Sequence, residues 1–232
     1  MTVSDRPTAV LFDFYGTLAT GQPKRLYEDV LAEFPRHVAE DILHDIENIV
    51  EFPLGLALPE PFQSAEAYSA WLRRQAVERL SEAHLADTSR CDVEDLADAL
   101  LDCNQVLDLT VLPGAHELLA GLAAQCTRVG ICSNWTWDLP DVLDRLGLSA
   151  FLDAFVCSAR LGASKPAERI YRHALAALGR APREVLFVGD TYETDVIMPR
   201  QLGMAALQVP NDGSGLPALT RWLLGAGVGR LP

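Results

Sequence analysis

Three residues able to act as nucleophile, cation ligand or hydrogen-bond donor each close an apolar run. Asp13 follows Thr8-Ala-Val-Leu-Phe12, Ser133 closes Val129-Gly-Ile-Cys-Ser133, and Asp190 closes Val185-Leu-Phe-Val-Gly-Asp190. One polar residue in such a place is explained well enough as a turn former or helix N-cap. Three of them point to a shared crevice, because ligands of parallel α/β sheets bind beyond the carboxyl ends of the strands. Two further charged residues lie near helix starts. Lys165 precedes Pro166, where an isolated lysine would ordinarily be solvated. Asp195 follows Asp190 by five residues, where a lone acid would complement a helix dipole. His116 and His173 stand in helical stretches without partners at ligand spacing and read as structural. Trp135 and Trp137 read as core packing, with pocket lining as the alternative.

The elements that must position these groups follow from apolar periodicity. The runs ending at Asp13, Ser133 and Asp190 suit strands buried on both faces, as in parallel sheets. Ala154–Ser158 and Ala205–Val209 are a predicted fourth and fifth strand. Helical patterns lie between them at His116–Gln125, Leu139–Leu146 and Pro166–Leu178. This alternation predicts a doubly wound α/β parallel sheet. From about Ala19 to Gln105 it breaks. That stretch reads as helices only, at Lys24–Phe34, His37–Val50, Ala65–Ala83 and Val93–Asn104, with a loop holding Pro53, Pro59 and Pro61. The expected organisation is a core of 1–18 and 106–232 with an all-helical insertion over 19–105. After Pro210 the chain is Gly-rich, with one apolar turn near Leu219–Leu224.

Bulk composition narrows the partners. A formal net charge of −13 argues against a nucleic-acid binder, which needs a basic surface to release counterions. A small anion can still bind where local donors outweigh the global field. No apolar run approaches the roughly 20 residues of a membrane span, and Met1–Ala9 lacks the pattern of a secretory signal. Five cysteines, Cys91, Cys103, Cys126, Cys132 and Cys157, stand singly and read as reduced thiols in a cytoplasmic protein. Neither a monomer nor a homodimer is favoured by the sequence.

Taken together and in order, Asp13-Phe-Tyr-Gly-Thr-Leu18, Ser133-Asn134, Lys165-Pro166 and Gly189-Asp-Thr-Tyr-Glu-Thr-Asp195 resemble the four motifs of the haloacid dehalogenase superfamily. The insertion resembles the helical cap that members with this layout carry after the first strand. The resemblance implies a Rossmann-like core and a hydrolase working through a covalent aspartyl intermediate. It implies Asp13 as nucleophile, with Thr17 and Asn134 in the catalytic motifs, and Ser133 binding the transferred group. Lys165 would neutralise charge on that group and on Asp13. Mg²⁺ would be held by Asp13, the backbone carbonyl of Tyr15 and Asp190, while Asp195 would act through water or steady Lys165.

Tyr15 departs from the phosphatases that this pattern is similar to, in which a second Asp protonates the leaving group. Asp-x-Tyr-Gly-Thr-Leu instead resembles the 2-haloacid dehalogenases, as does the Lys165–Tyr171 spacing. Against that, the last motif is similar to that of metal-dependent phosphatases. The cap arginine with which dehalogenases capture halide has only Arg25, Arg73 and Arg74 as candidates. Electrostatics favours the metal. Two like charges about 4 Å apart repel by about 4 kcal/mol at an effective dielectric near 20, so a cation-free cluster of Asp13, Asp190 and Asp195 would also repel a haloacid carboxylate. The expected activity is a Mg²⁺-dependent phosphatase of a small phosphorylated metabolite. The alternatives are a metal-independent 2-haloacid dehalogenase and a weakly catalytic phosphometabolite binder.

Overall fold

The computed structural model describes residues 6–23, 27–33, 62–82, 90–103 and 106–225. The predicted helix His37–Val50, the proline loop and Arg25 lie outside the described residues, as do the side chains of Cys91 and Cys103. Seven strands occur in the described residues: β1 (Ala9–Phe12), β2 (Ala19–Pro23), β3 (Val106–Val111), β4 (Arg128–Ser133), β5 (Ala154–Cys157), β6 (Val185–Gly189) and β7 (Ala205–Gln208).

Five of them form one parallel sheet in the order β5-β4-β1-β6-β7. These are the five strands expected from the apolar runs. All four residues of β1 and all five of β6 are buried, as a strand covered on both faces requires. β1 is central, with Phe12 opposite Ile131 on one side and Val188 on the other. That register brings the carboxyl ends of β1, β4 and β6 side by side.

Helices cover the sheet by burying one stripe each. In Glu168–Leu178 the buried residues are Ile170, Tyr171, Ala174, Leu175 and Leu178, a single helical face. This face packs on β4 and β5. Ala115–Ala124 buries Ala115, Leu118, Leu119 and Leu122 and packs against β4 and the helix Leu216–Leu224. Each such leucine contributes about 1.5–3 kcal/mol by leaving water.

The chain divides into two compact units, Met1–Thr20 with Leu109–Pro232, and Gly21–Asp108. In the second unit, helices Tyr27–Glu33, Ala65–Glu82 and Arg90–Cys103 share a core that includes Val30, Ala76, Leu80, Val93, Leu96, Ala97 and Leu100. Arg73 is engaged by Glu94 and Asp98, so this halide-capture candidate is tied to two carboxylates of its own unit.

The expectation of helices only from Ala19 onward is corrected at Ala19–Pro23, which is β2 and pairs with β3. Its partner lies far along the chain, and a strand stabilised by so distant a ladder leaves no local periodicity. No described helix is long and apolar enough to cross a membrane.

Candidate active site

The β1 ladder runs one residue beyond the strand, where the Asp13 N–H donates to the Val188 carbonyl at 2.8 Å. Asp13 is thereby held at the carboxyl edge, between the end of β4 at Ser133 and the end of β6 before Asp190. The chain then turns tightly. Leu18 and Ala19 N–H both donate to the Phe14 carbonyl, and Gly16 N–H donates to Ala19. Gly16 has φ +79°, and a Cβ there would lie 2.6 Å from Asp190 Oδ2. A side chain would therefore fill the space that Asp190 occupies. Within this turn, the buried Thr17 hydroxyl lies 3.4 Å from Asp190 Oδ1.

Lys165 enters from the loop before Glu168–Leu178. It is 3% exposed, and its Nζ donates to Asp13 Oδ1 at 2.8 Å and to Asp195 Oδ1 at 2.7 Å. Asn134 fixes the loop: its amide donates to the Lys165 carbonyl at 3.0 Å, and its Oδ1 accepts from the Lys165 N–H at 2.7 Å. The side chain of Asn134 is thus committed to Lys165's backbone. Both oxygens of Asp195 are also engaged. Oδ2 accepts from Thr191 N–H at 3.0 Å, and Oδ1 accepts from Thr194 as well as Lys165. Of the two roles implied for Asp195, its direct contact is with the lysine.

Asp195 sits on a wide π-helical turn, Tyr192–Ile197, of the kind common at functional sites. The approach of its carboxylate depends on Gly189, where a Cβ would lie 2.2 Å from Asp195 Oδ2. Gly189→Ala should lower unfolding stability by about 1–3 kcal/mol, as overpacking of a tight interior does. An unchanged urea midpoint with an unchanged m-value would contradict that close approach.

Asp13, Asp190 and Asp195 each offer a carboxylate oxygen, and these lie within 4.8 Å of one another. Burial would push the Lys165 ammonium down, but the Asp13 and Asp195 carboxylates outweigh it and hold it above the ordinary lysine range. Asp190 is pushed up to about 6, first by burial and then by the carboxylates of Asp13 and Asp195. Three carboxylates face one ammonium, so the cluster has a formal excess of two negative charges. Oxygen-only donors with that excess suit a hard divalent cation, with Asp13 and Asp190 as the carboxylates that have oxygens to spare.

Tyr15 is half-buried beside this cluster, its ring 6.0 Å from that of Trp135, which also meets Phe14 edge-on at 4.9 Å. Trp135 is buried and accordingly belongs to the core, yet it backs a residue of the turn that follows Asp13. Trp137 carries the Arg160 guanidinium over its ring at 4.9 Å. His116 packs edge-on against Phe151. Cys132 and Cys157 are buried free thiols, pushed up to about 12 and about 11 by burial. The contributions of Thr191, Thr194 and Gly189 escaped the sequence reading. They act through a backbone N–H, a local hydroxyl and an absent side chain, and only their spacing within the last motif hinted at them.

Over residues 7–203 the chain matches the model of one protein family, described as hydrolase, haloacid dehalogenase-like hydrolase. It is 38% identical over 98 residues to pyrimidine 5′-nucleotidase YjjG of Escherichia coli K12, covering 41% of this chain and 43% of that protein. The match therefore spans less than half of that relative. Ribulose-1,5-bisphosphate 5-phosphatase of Halopiger xanaduensis is 27% identical over 199 residues, 85% of this chain and 82% of that one. Among solved structures, a Had-superfamily hydrolase from Ehrlichia chaffeensis superposes with a TM-score of 0.58 at 20% identity, covering 94% of this chain and 97% of the other. That last likeness is one of fold.

Proposed function

Since the chain belongs to the haloacid dehalogenase-like hydrolases, we propose that it is a Mg²⁺-dependent phosphatase of small phosphorylated metabolites. The observation that carries this reading is the excess of carboxylates around Lys165. Left uncompensated, it repels any anionic substrate; matched by a divalent cation, it becomes an anion site. Bound Mg²⁺ supplies charge neutralisation for phosphate oxygens and uses oxygen ligands that these residues offer. Asp13, Asp190 and the Tyr15 carbonyl would hold it, while Asp195, both of whose oxygens accept from protein donors, steadies Lys165.

The chain's own residues do the remaining work. Asp13 attacks phosphorus, forming an acyl phosphate as the ester P–O bond breaks and its electron pair leaves with the alcohol oxygen. Water then attacks phosphorus, releasing phosphate and restoring Asp13. Ser133 donates to the transferring group, and Lys165 neutralises charge on it and on Asp13. Thr17 steadies Asp190, and Asn134 holds Lys165's loop. The insertion over residues 19–105 serves to set substrate choice, and residues 1–18 and 106–232 carry the chemistry.

A paired assay tests the reading: phosphate released from a metabolite panel and halide released from 2-haloacids, each with and without Mg²⁺. Phosphate release that requires Mg²⁺ is the expected result. Metal-independent halide release without phosphate release would establish the dehalogenase chemistry that Tyr15 favours.

Asp190 adds a pH dependence. Its folded pKa of about 6 lies above the ordinary 3.8, so the folded state takes up this proton first. Its contribution to metal-free stability is full below the unfolded value and is lost as pH rises through the folded one. Mg²⁺ binding needs the ionised form, so apparent affinity should fall about tenfold per pH unit below 6. The Mg²⁺-induced rise in melting temperature should therefore be large at pH 7.5 and small at pH 5. Asp190→Asn should remove it at both, whereas a Mg²⁺ shift retained in that variant would contradict the ligand assignment.

A further inference from the structure

Tyr171 is buried beside the site and has no part in the chemistry above. It is 0% exposed, and its ring meets Phe187 of β6 at 5.8 Å. Its hydroxyl donates to the Thr194 carbonyl at 2.5 Å. Packing alone would be satisfied by phenylalanine. A buried hydroxyl is costly unless bonded, so the bond accounts for the oxygen. Thr194 lies in the π-helical turn Tyr192–Ile197, a rare geometry that occurs mostly as single turns and frequently at functional sites. The segment from Lys165 to Tyr171 grips this turn at two successive residues, the phenol on the Thr194 backbone and the ammonium on the Asp195 carboxylate.

We propose that Tyr171 is a positioning residue whose hydroxyl sets the Thr194–Asp195 peptide, so that Asp195 holds Lys165 against Asp13. The bond acts in two places. It fixes the carboxylate that receives Lys165, and it fixes the Asp195 Oδ2 that accepts the Thr191 N–H. Because Thr191 directly follows Asp190, the same peptide also braces the end of β6. The effect on turnover rests on the phosphatase reading; the effect on the turn does not.

Tyr171→Phe removes one oxygen and keeps the ring. With p-nitrophenyl phosphate and Mg²⁺, kcat should fall by about tenfold or more, since small misplacements of catalytic groups have effects of this size. KM should change by less than about twofold, because the phenol touches no substrate. In an Asp195→Asn background, Tyr171→Phe should cause no further loss, as expected of residues acting in series. Independently of activity, amide exchange at Thr191 should accelerate by about tenfold while amides of β1 and β6 keep their protection. Losses that multiply in the double variant, or an unchanged Thr191 exchange rate, would overturn the assignment. If the wild type released no phosphate, the phosphatase reading would fail, and the exchange measurement would still decide the role of Tyr171.

Discussion

Asp13→Asn removes turnover and leaves the fold standing. The amide keeps the shape of the carboxylate at the end of β1, and the backbone bond from Asp13 N–H to Val188 does not involve the side chain. What disappears is the nucleophile of the proposed mechanism. Removing a covalent nucleophile costs on the order of 10⁴–10⁶-fold in kcat. Stability should change little, because Lys165 retains its 2.7 Å contact with Asp195 and so is not left as an unpaired buried charge. The like-charge repulsion between positions 13 and 190 is also relieved. Purified Asp13→Asn with a wild-type melting curve and turnover within tenfold of wild type would eliminate the covalent mechanism.

Tyr15→Asp raises phosphate release from esters with poor leaving groups. An alkoxide needs a proton as it departs, and a phenol ionises too far above neutral pH to be a well-matched donor. A carboxyl group two residues after Asp13 would supply one, with a ceiling of about 10²–10⁴-fold for general acid catalysis. The gain should be largest for alkyl phosphates and small for aryl or acyl phosphates, whose leaving oxygens need little protonation. Loss of the Tyr15 ring from its contact with Trp135 reduces the gain without altering its dependence on leaving group. In a dehalogenase, halide leaves unprotonated, and the new carboxylate would only repel the substrate. Uniform loss across all phosphate esters, together with halide release by the wild type, would assign that chemistry instead.

Strands β1, β4 and β6 were legible because burial on both faces writes itself as continuous apolar runs, each with a polar stop, whereas the edge strands β5 and β7, only partly buried, showed as short apolar runs alone. Asp13, Ser133 and Asp190 were legible for the same reason. Lys165 was not readable from its own surroundings; only its order among the motifs marked it, and its two carboxylate partners lie on distant elements. The spending of Asn134 on the Lys165 backbone, and of both Asp195 oxygens on donors, depends on loop geometry that no periodicity encodes. β2 was missed because its ladder partner is remote in sequence. Tyr171 was noticed for its spacing from Lys165, yet what its hydroxyl bonds to is a carbonyl whose placement follows from the π-helical turn.

The most direct test of the central claim follows solvent oxygen. Turnover in ¹⁸O-water, analysed by mass spectrometry of both product and protein, distinguishes attack on phosphorus from attack on carbon. If Asp13 is phosphorylated and water attacks phosphorus, the label appears in the released phosphate and the peptide containing Asp13 keeps its unlabelled mass. If Asp13 is instead alkylated and its ester is hydrolysed at the carboxyl carbon, repeated turnover of a 2-haloacid places the label in Asp13 itself. Labelled phosphate with an unlabelled Asp13 peptide is the predicted result; an Asp13 peptide carrying ¹⁸O would contradict it.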